Sequence, residues 1–385
     1  MAAFAAATSG VLPAFLVGAV GVRIQDDLAI GNAGLGLIVS SLFVTAGLTS
    51  IAAGRVVDGW GWERSVRIAA LGSITCLVGI AVWSRGPVSL LLLLVVGGLA
   101  HAGLAPAANL ALARDLPGAR QGVVFGLKQS STSAALLLGG IAVPTVTVLW
   151  GWRATFLLAV VIPLAAALLA PGGGERRSPD AVVGSEHIAP LLPPGRPRGL
   201  AAVTVAGGAA AATVTASSAF LVVSAVDSGL SEASAGWLLA AASVVSLVAR
   251  IGVGWHADLR QRRSLLGVAG LLLVGAVGLA ALATGTTVLL IPGALLAFAA
   301  GTGWPGLYHL AVVHRYLQTP AAATGTVQTG LAIGAAVGPL AFGIAADRLS
   351  FTLAWSATAA VAVAAALLVI RAARRWQRED VGSGR

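Results

Sequence analysis

The sequence GRVVDGWGWER, residues 54–64, lies between two long apolar runs. A related stretch, GWHADLRQRR, occupies residues 254–263, 200 positions later. In both stretches a glycine is followed four residues later by an aspartate and then by arginines. Two glycines and a glutamine also recur at an offset of 199, as the pairs Gly126/Gly325, Gln129/Gln328 and Gly139/Gly338. The repetition predicts a chain built from two similar halves.

The composition around these stretches is that of a membrane protein. Of the 385 residues, 57% are hydrophobic and only 10% are charged, whereas soluble domains carry about 25% charged residues. This excludes a soluble multidomain enzyme and a disordered chain. The net charge is +10, but basic residues punctuate apolar runs instead of forming a solvated patch, which argues against nucleic-acid binding. A single cysteine and scattered histidines and carboxylates predict no disulfide framework, metal site or cofactor.

Twelve apolar runs have the length of roughly 20 residues, or more, that a helix needs to cross a bilayer. They predict an all-α integral membrane protein with two pseudo-symmetric bundles of six helices. Their predicted limits are 5–22, 33–53, 66–83, 88–112, 123–148, 154–170, 200–225, 234–252, 264–283, 287–312, 321–346 and 351–370.

A break in the apolar pattern divides the chain. The segments PGGGERRSPD and PLLPPGRPRG, at 171–180 and 190–199, are typical of a flexible linker. We therefore predict a first bundle over 1–171, a cytoplasmic linker over 172–198, and a second bundle with a basic cytoplasmic tail over 199–385. With both termini placed in the cytoplasm, 19 arginines lie inside and four outside. This asymmetry predicts a multi-pass plasma-membrane protein with cytoplasmic termini.

The sequence resembles the major facilitator superfamily over nearly its whole length. The resemblance rests on the loop after the second span, which matches the family's signature at Gly54, Asp58, Gly61 and Arg64. A similar loop after the eighth span contains Asp258 and Arg262. The resemblance implies that the loop after the second span gates transport, its aspartate contacting neighbouring cytoplasmic helix ends. Gly59 and Trp62 stand where the family often has basic residues. An aspartate near helix N-termini is also favoured by the helix dipole. The alternative is that these charges only fix the orientation of the chain in the membrane, but charge asymmetry alone does not require the repeated glycine and aspartate.

Lys128 is the strongest candidate for contact with a substrate. It is the only lysine in the chain, and it lies about 8 Å inside the cytoplasmic end of the fifth span at 1.5 Å per residue. Lys128 and Thr132 share one helix face, and Gln129 shares another with Ser133. Residues 128–133, KQSSTS, are all polar. Six consecutive polar residues do not suit a lipid-facing helix, so we predict that this segment lines a cavity. The alternative is that Lys128 snorkels to the interface.

Further polar and aromatic residues fall within other spans. Each has an alternative role in interhelical hydrogen bonding or packing. Arg250, close to the cytoplasmic end of the eighth span, is expected to snorkel. The remaining pathway candidates are His101, Asn109, Trp304, Tyr308, His309 and Gln328.

These features favour a secondary transporter that moves a small solute by alternating access, as a monomer, with or without protons. Basic groups without acidic ones along the path favour an organic anion. A proton-coupled multidrug exporter of the same fold is the alternative, although the Gly338-Pro339 pair lies in the eleventh span and not in the fifth. A membrane sensor that does not transport is a third hypothesis. No catalytic set occurs in the spans, so we do not expect an enzyme.

Overall fold

The computed structural model describes residues 2–115, 121–170, 199–260, 265–316 and 320–382. This part of the chain is helical between short turns and contains no strand. Two five-residue π-turns, Val143–Thr147 and Ala297–Gly301, interrupt the helices. The α-helices are α1 (Ala2–Ala19), α2 (Gly21–Leu28), α3 (Asn32–Trp60), α4 (Trp62–Trp83), α5 (Pro87–Asp115), α6 (Gln121–Ala142), α7 (Val148–Trp150), α8 (Trp152–Ala159), α9 (Val161–Leu169), α10 (Leu200–Asp227), α11 (Glu232–Arg260), α12 (Leu265–Ala283), α13 (Thr287–Leu296), α14 (Pro305–Arg315), α15 (Pro320–Arg348) and α16 (Phe351–Gly382).

The prediction of twelve spans is confirmed, because twelve helical segments in the described residues are long and apolar enough to cross a membrane. The fifth span comprises α6 and α7, the sixth α8 and α9, and the tenth α13 and α14. Several helices extend beyond their predicted limits. The predicted second span ended at residue 53 and the twelfth at 370, whereas α3 reaches Trp60 and α16 reaches Gly382.

The spans alternate in direction, which defines two sides. The predicted linker, 172–198, lies outside the described residues, but α9 ends and α10 begins on the same side. We call this the linker side and the other the opposite side. Exposed tryptophans occur near helix ends on both sides, with Trp60 and Trp255 toward the linker side and Trp83 and Trp150 toward the opposite side. Tryptophan at these positions is typical of membrane–water interfaces.

Arginines on the opposite side form ion pairs. The Arg23 side chain lies 2.7 Å from the Glu232 carboxylate, joining α2 of the first six spans to α11 of the second six. Arg153 lies 2.8 Å from Asp27, and this hydrogen bond lowers the pKa of the Asp27 carboxyl. These surface groups are solvated as well as paired, so each pair adds little to stability.

The two sets of six spans meet along two equivalent seams. One is formed by α6 and α11, the fifth and eighth spans, and the other by α3 and α15, the second and eleventh. Adding about 200 to the residue numbers converts α3 into α11 and α6 into α15. The seams are therefore related by the internal repeat that the sequence shows, as expected for parallel repeats about an axis along the membrane normal.

The fifth span is broken near its opposite-side end, and the tenth is broken near its middle. In the fifth, Pro144 lies in the π-turn, where its missing N–H interrupts the regular helical bonding. In the tenth, the π-turn is followed by non-helical residues before α14 begins at Pro305. The N-terminus of α14 therefore lies inside the bundle, and the linker-side half of this span is a separate helix.

Glycine allows the closest helix contacts, because lipid removes the usual hydrophobic drive between helices and backbones must approach directly. On α15, a Cβ built on Gly334 would lie against the carbonyl oxygen of Gly208 on α10. By contrast, a Cβ on Gly270 of α12 would meet no atom within 4 Å. The space around a glycine thus differs sharply between the packed interior and the periphery.

We expect Gly334→Ala to destabilise the protein by about 1–3 kcal/mol, the usual cost of overpacking a close contact. Gly270→Ala is the matched control and should leave stability unchanged or slightly higher, because its methyl group enters open space and alanine is the better helix former. Thermal unfolding in detergent, followed by tryptophan fluorescence at one scan rate, compares the two. Equal melting temperatures for the two variants would contradict this account of the α10–α15 contact.

Candidate functional site

The Lys128 side chain lies between the two halves. One turn before it on α6, the ring of Phe125 stacks on His309 of α14 with centroids 6.2 Å apart. Lys128 is close enough for its charge to act on both His309 and His101. Lys128 is half-buried and, within the described residues, its ammonium group forms neither a hydrogen bond nor an ion pair. A cation in this position can receive an anionic group from a solute.

His101 lies at the middle of α5 and faces α1 and α3. A Cβ on Gly10 would be 2.5 Å from its Nδ1, and its ring meets Phe43 edge-on at 6.4 Å. Nδ1 itself is buried and has no hydrogen-bond partner. The alternative role, a histidine hydrogen-bonded between helices, therefore finds no support at this nitrogen.

His309 connects two helices of the second half to the same region. Its Nδ1 donates to the carbonyl oxygen of Pro305 at 2.8 Å, which fixes the ring and its tautomer. Gln328 on α15 lies near the ring. Gln328 is exposed and His309 is buried, so the two side chains extend from the surface to the region of Lys128.

The expectation that Arg250 snorkels is wrong. Its side chain is only 4% exposed and points into the α6–α11 seam, where Nη1 donates to the carbonyl oxygen of Gln129. Nε is buried without a partner, and no carboxylate in the described residues pairs with the guanidinium. Ser243 and Ser246 precede Arg250 on one buried stripe of α11, a pattern in the sequence that could have indicated this orientation.

A chain of buried hydroxyl groups crosses the same seam. Ser133 on α6 is 2.8 Å from Ser246 on α11, which is 2.6 Å from Thr302 in the break of the tenth span. Thr302 in turn bonds the carbonyl oxygen of Phe298, four residues earlier. The chain joins the fifth, eighth and tenth spans and satisfies hydroxyl groups that lipid could not.

The other predicted pathway residues lie around this region. Trp304 is deeply buried at the start of α14, and its indole Nε1 has no hydrogen-bond partner. Tyr308 is fully buried against Trp304 and donates to the carbonyl oxygen of Val203, which is a packing contact. Thr132 is half-buried on α6. Asn109 lies on α5, and its side chain is outside the described residues.

Asp258 caps a helix on the linker side. Its carboxylate accepts hydrogen bonds from the backbone N–H groups of Gly122 (2.8 Å) and Val123 (2.9 Å), in the first turn of α6. Gly254, one turn earlier on α11, allows the backbones of the two helices to touch at Gly122. A carboxylate at a helix N-terminus satisfies free N–H groups and interacts favourably with the dipole. The contact links the two halves.

Asp347 makes the corresponding contact on the opposite side, at the other seam. Its carboxylate accepts from the backbone N–H groups of Asn32 (2.9 Å) and Ala33 (2.7 Å), at the start of α3, and from the Asn32 side-chain amide. Gly343 lets α15 approach Asn32 directly. The sequence did not predict this role, because an aspartate at the end of one span does not reveal which helix start it meets.

The α3–α15 seam opens toward the linker side. A Cβ on Gly47 would lie 3.5 Å from Ala332. Two turns further, on the same faces, Gly54 and Gly325 have nothing within 4 Å of a Cβ. The α6–α11 seam is closed on that side, so the two seams differ. Gln328 lies one turn from Gly325, at the open end.

The remaining signature residues lie at the turn between α3 and α4. Gly61 has φ +80°, a conformation that favours glycine and permits this sharp reversal. The Arg64 guanidinium lies over the Trp60 ring, 5.3 Å from its centroid. Asp58 lies on α3 with its side chain outside the described residues, and Arg262 falls outside them entirely. Their predicted gating roles stay predictions.

The described residues contain no group of three or more histidine, cysteine or acidic side chains that could hold a metal ion. The family profile described as Major Facilitator Superfamily matches residues 2–193 and 200–384. The chain belongs to this family of membrane transporters. The repeat, the twelve spans and the signature loop agree with that membership.

A hexuronate transporter of Bacillus subtilis (strain 168) is similar to part of the chain. The two are 26% identical over 155 residues, which is 38% of this chain and 34% of the relative. The match therefore covers about a third of that transporter's length. Its name refers to sugar acids, whose carboxylates are anionic at neutral pH.

Each of the two caps should protect its own helix start. Asp258→Ala removes the acceptor for Gly122 and Val123, so hydrogen exchange measured by mass spectrometry should accelerate in a peptide covering 121–130 and stay unchanged at 32–42. Asp347→Ala should produce the reverse pattern. Each variant is the control for the other. The capping role is wrong if the local exchange rates do not change.

Proposed function

We propose that this protein is a secondary transporter of small organic anions, carboxylates of the hexuronate kind, across the plasma membrane. In this proposal the linker side and both termini face the cytoplasm. Residues 1–171 and 199–385 form the two moving bundles, joined by the linker 172–198. The chain acts as a monomer and changes the position of its substrate, not its covalent structure.

The observation that carries the proposal is the pair of cationic side chains without counter-charges. Both lie inside spans. Lys128 directly precedes Gln129 on α6, and Arg250 donates to the Gln129 carbonyl oxygen from α11. No carboxylate of the described residues pairs with either cation. An unpaired charge is costly in a membrane protein interior and typically marks a substrate pathway. A bound carboxylate would supply the missing negative charge, with charge-assisted hydrogen bonds from both groups.

The neighbouring polar groups suit the rest of a sugar acid. His101 and Gln328 can donate to or accept from hydroxyl groups. His101 lies near Lys128, and Gln328 lies near His309, which is itself near Lys128. The similarity to a protein named a hexuronate transporter supports the same class of solute.

The two caps support alternating access. Asp258 holds the seam of α6 and α11 together on the linker side, while Asp347 holds that of α3 and α15 together on the opposite side. Each cap joins the two halves, so each must break for the halves to separate on its side. The opening beside Gln328 would admit solute from the cytoplasm in the described state.

Proton coupling would need a titratable group on this path. The described spans carry carboxylates only toward their ends, so a coupling proton would reside on the substrate, on Lys128, or on one of the two histidines. This arrangement favours an anion carrier over an exporter of lipophilic cations, because negative charge in the pathway would stabilise a cationic substrate.

Uptake of radiolabelled glucuronate into proteoliposomes tests the proposal. We expect the KM to rise about 10- to 100-fold in Lys128→Gln and in Arg250→Gln, because each loses a charge-assisted hydrogen bond worth about 1.5–3 kcal/mol. Lys128→Arg should retain more transport than Lys128→Gln, because it preserves the charge. Arg85→Gln, an exposed arginine on the opposite side, is the matched control and should transport normally.

The same vesicles compare charge directly. Glucose and a lipophilic cation should not compete with glucuronate, whereas other small carboxylates should. Transport of the cation in place of carboxylates would overturn the proposal and favour the exporter. An imposed pH gradient that accelerates uptake would add proton coupling, and uptake that ignores the gradient would show an uncoupled carrier.

A further inference from the structure

The last helix is longer than a bilayer requires. It contains 32 residues, whereas about 20 cross the hydrocarbon core at 1.5 Å per residue. Counted from Phe351 on the opposite side, the helix has risen about 30 Å by Arg371. The segment from Arg371 onward therefore lies at the depth of the lipid headgroups and beyond, on the linker side.

Contacts of Trp376 confirm this depth independently of the count. The Trp376 ring is buried and meets the Tyr316 ring edge-on, with centroids 5.9 Å apart. The Arg315 guanidinium lies 5.6 Å from the ring centroid, and a Cβ on Gly199 would be 2.8 Å from Nε1. These neighbours end α14 and precede α10, so Trp376 is level with the linker-side ends of two other spans.

Four arginines form a stripe on the other face of this segment. Arg371, Arg374, Arg375 and Arg378 follow the spacing i, i+3, i+4 and i+7, which places them along one side of a helix. All four side chains are exposed, and none makes a hydrogen bond or an ion pair within the described part of the chain. Like charges four residues apart repel each other, so the stripe favours an anionic partner.

The same face is apolar just before the stripe. Ala360, Ala364 and Leu367 are exposed and continue the spacing that leads to Arg371. Reading along α16, an apolar strip suited to acyl chains is followed at headgroup depth by four guanidinium groups. This order matches a phospholipid, whose acyl chains lie directly beneath its phosphate, and a water-soluble anion has no use for the apolar part.

We propose that this face of α16, which we call the arginine stripe, binds the headgroups of anionic phospholipids. Guanidinium groups bind phosphate oxygens in a bidentate manner, and basic clusters beside a transmembrane helix attract anionic lipid. Since Trp376 packs against Tyr316 at the end of α14, bound lipid would hold the linker-side end of the broken tenth span in place.

Native mass spectrometry of the full-length protein, with phosphatidylglycerol and phosphatidylcholine added separately, tests this proposal. We expect the wild type to retain more phosphatidylglycerol than phosphatidylcholine. Replacing all four arginines with glutamine should abolish the preference, with an effect of about fivefold for each arginine. The corresponding quadruple lysine variant keeps the charge and should keep most of the preference.

Two controls keep the test decisive. Arg85→Gln with Arg348→Gln removes two exposed charges from the opposite side and should leave the preference unchanged. If the quadruple glutamine variant does not fold, Arg371→Gln with Arg375→Gln should still lower the preference. Phosphatidylglycerol retained equally without the stripe would overturn the proposal, and so would its displacement by millimolar inorganic phosphate, which would indicate a site for soluble anions.

Discussion

Positive charge without a counter-ion is the constraint on which the rest of this structure depends. Lys128 and Arg250 lie among apolar helices, where an isolated charge is poorly solvated. Two arginines on the opposite surface, Arg23 and Arg153, have carboxylate partners. The interior cations have none in the described residues. In the proposed function, these groups are kept at a cost in stability because they form a site that an anionic solute completes.

The internal repeat explains how such a site can face either side of the membrane. It produces two seams of equivalent helices, and each seam carries an aspartate that caps a helix start across the interface. The caps lie on different sides, Asp258 at the linker side and Asp347 opposite. Because glycines bring the backbones into contact beside each cap, small rotations of one bundle can break these contacts without repacking large side chains. The break before α14 gives the linker-side half of the tenth span the same freedom to rotate.

Much of this fold could be predicted from the sequence. Apolar run length predicted twelve spans, which the structure confirms, and the repeated glycine and aspartate indicated two halves. The repeat also suggested an aspartate near helix N-termini, and Asp258 lies at the start of α6. Lys128 and the two histidines were selected as pathway candidates because ionisable groups are rare in membrane spans.

The remaining features depend on which face of a helix meets which neighbour. Arg250 was misplaced because its nearness to a helix end suggested snorkelling, whereas the buried stripe of serines on α11 directs it inward. The cap by Asp347 joins residues more than 300 positions apart, so local pattern could not reveal it. Pro144 and Pro305 lie at the broken spans, but proline alone does not say whether a helix kinks or stops.

The most direct test of the central claim is an experimental structure of the protein determined with glucuronate bound. We predict that the carboxylate lies between the halves, with an oxygen within about 4 Å of the Lys128 Nζ or of the Arg250 guanidinium, which is the distance of an ion pair. A sugar acid bound elsewhere, with both cations still lacking an anionic partner, would contradict it.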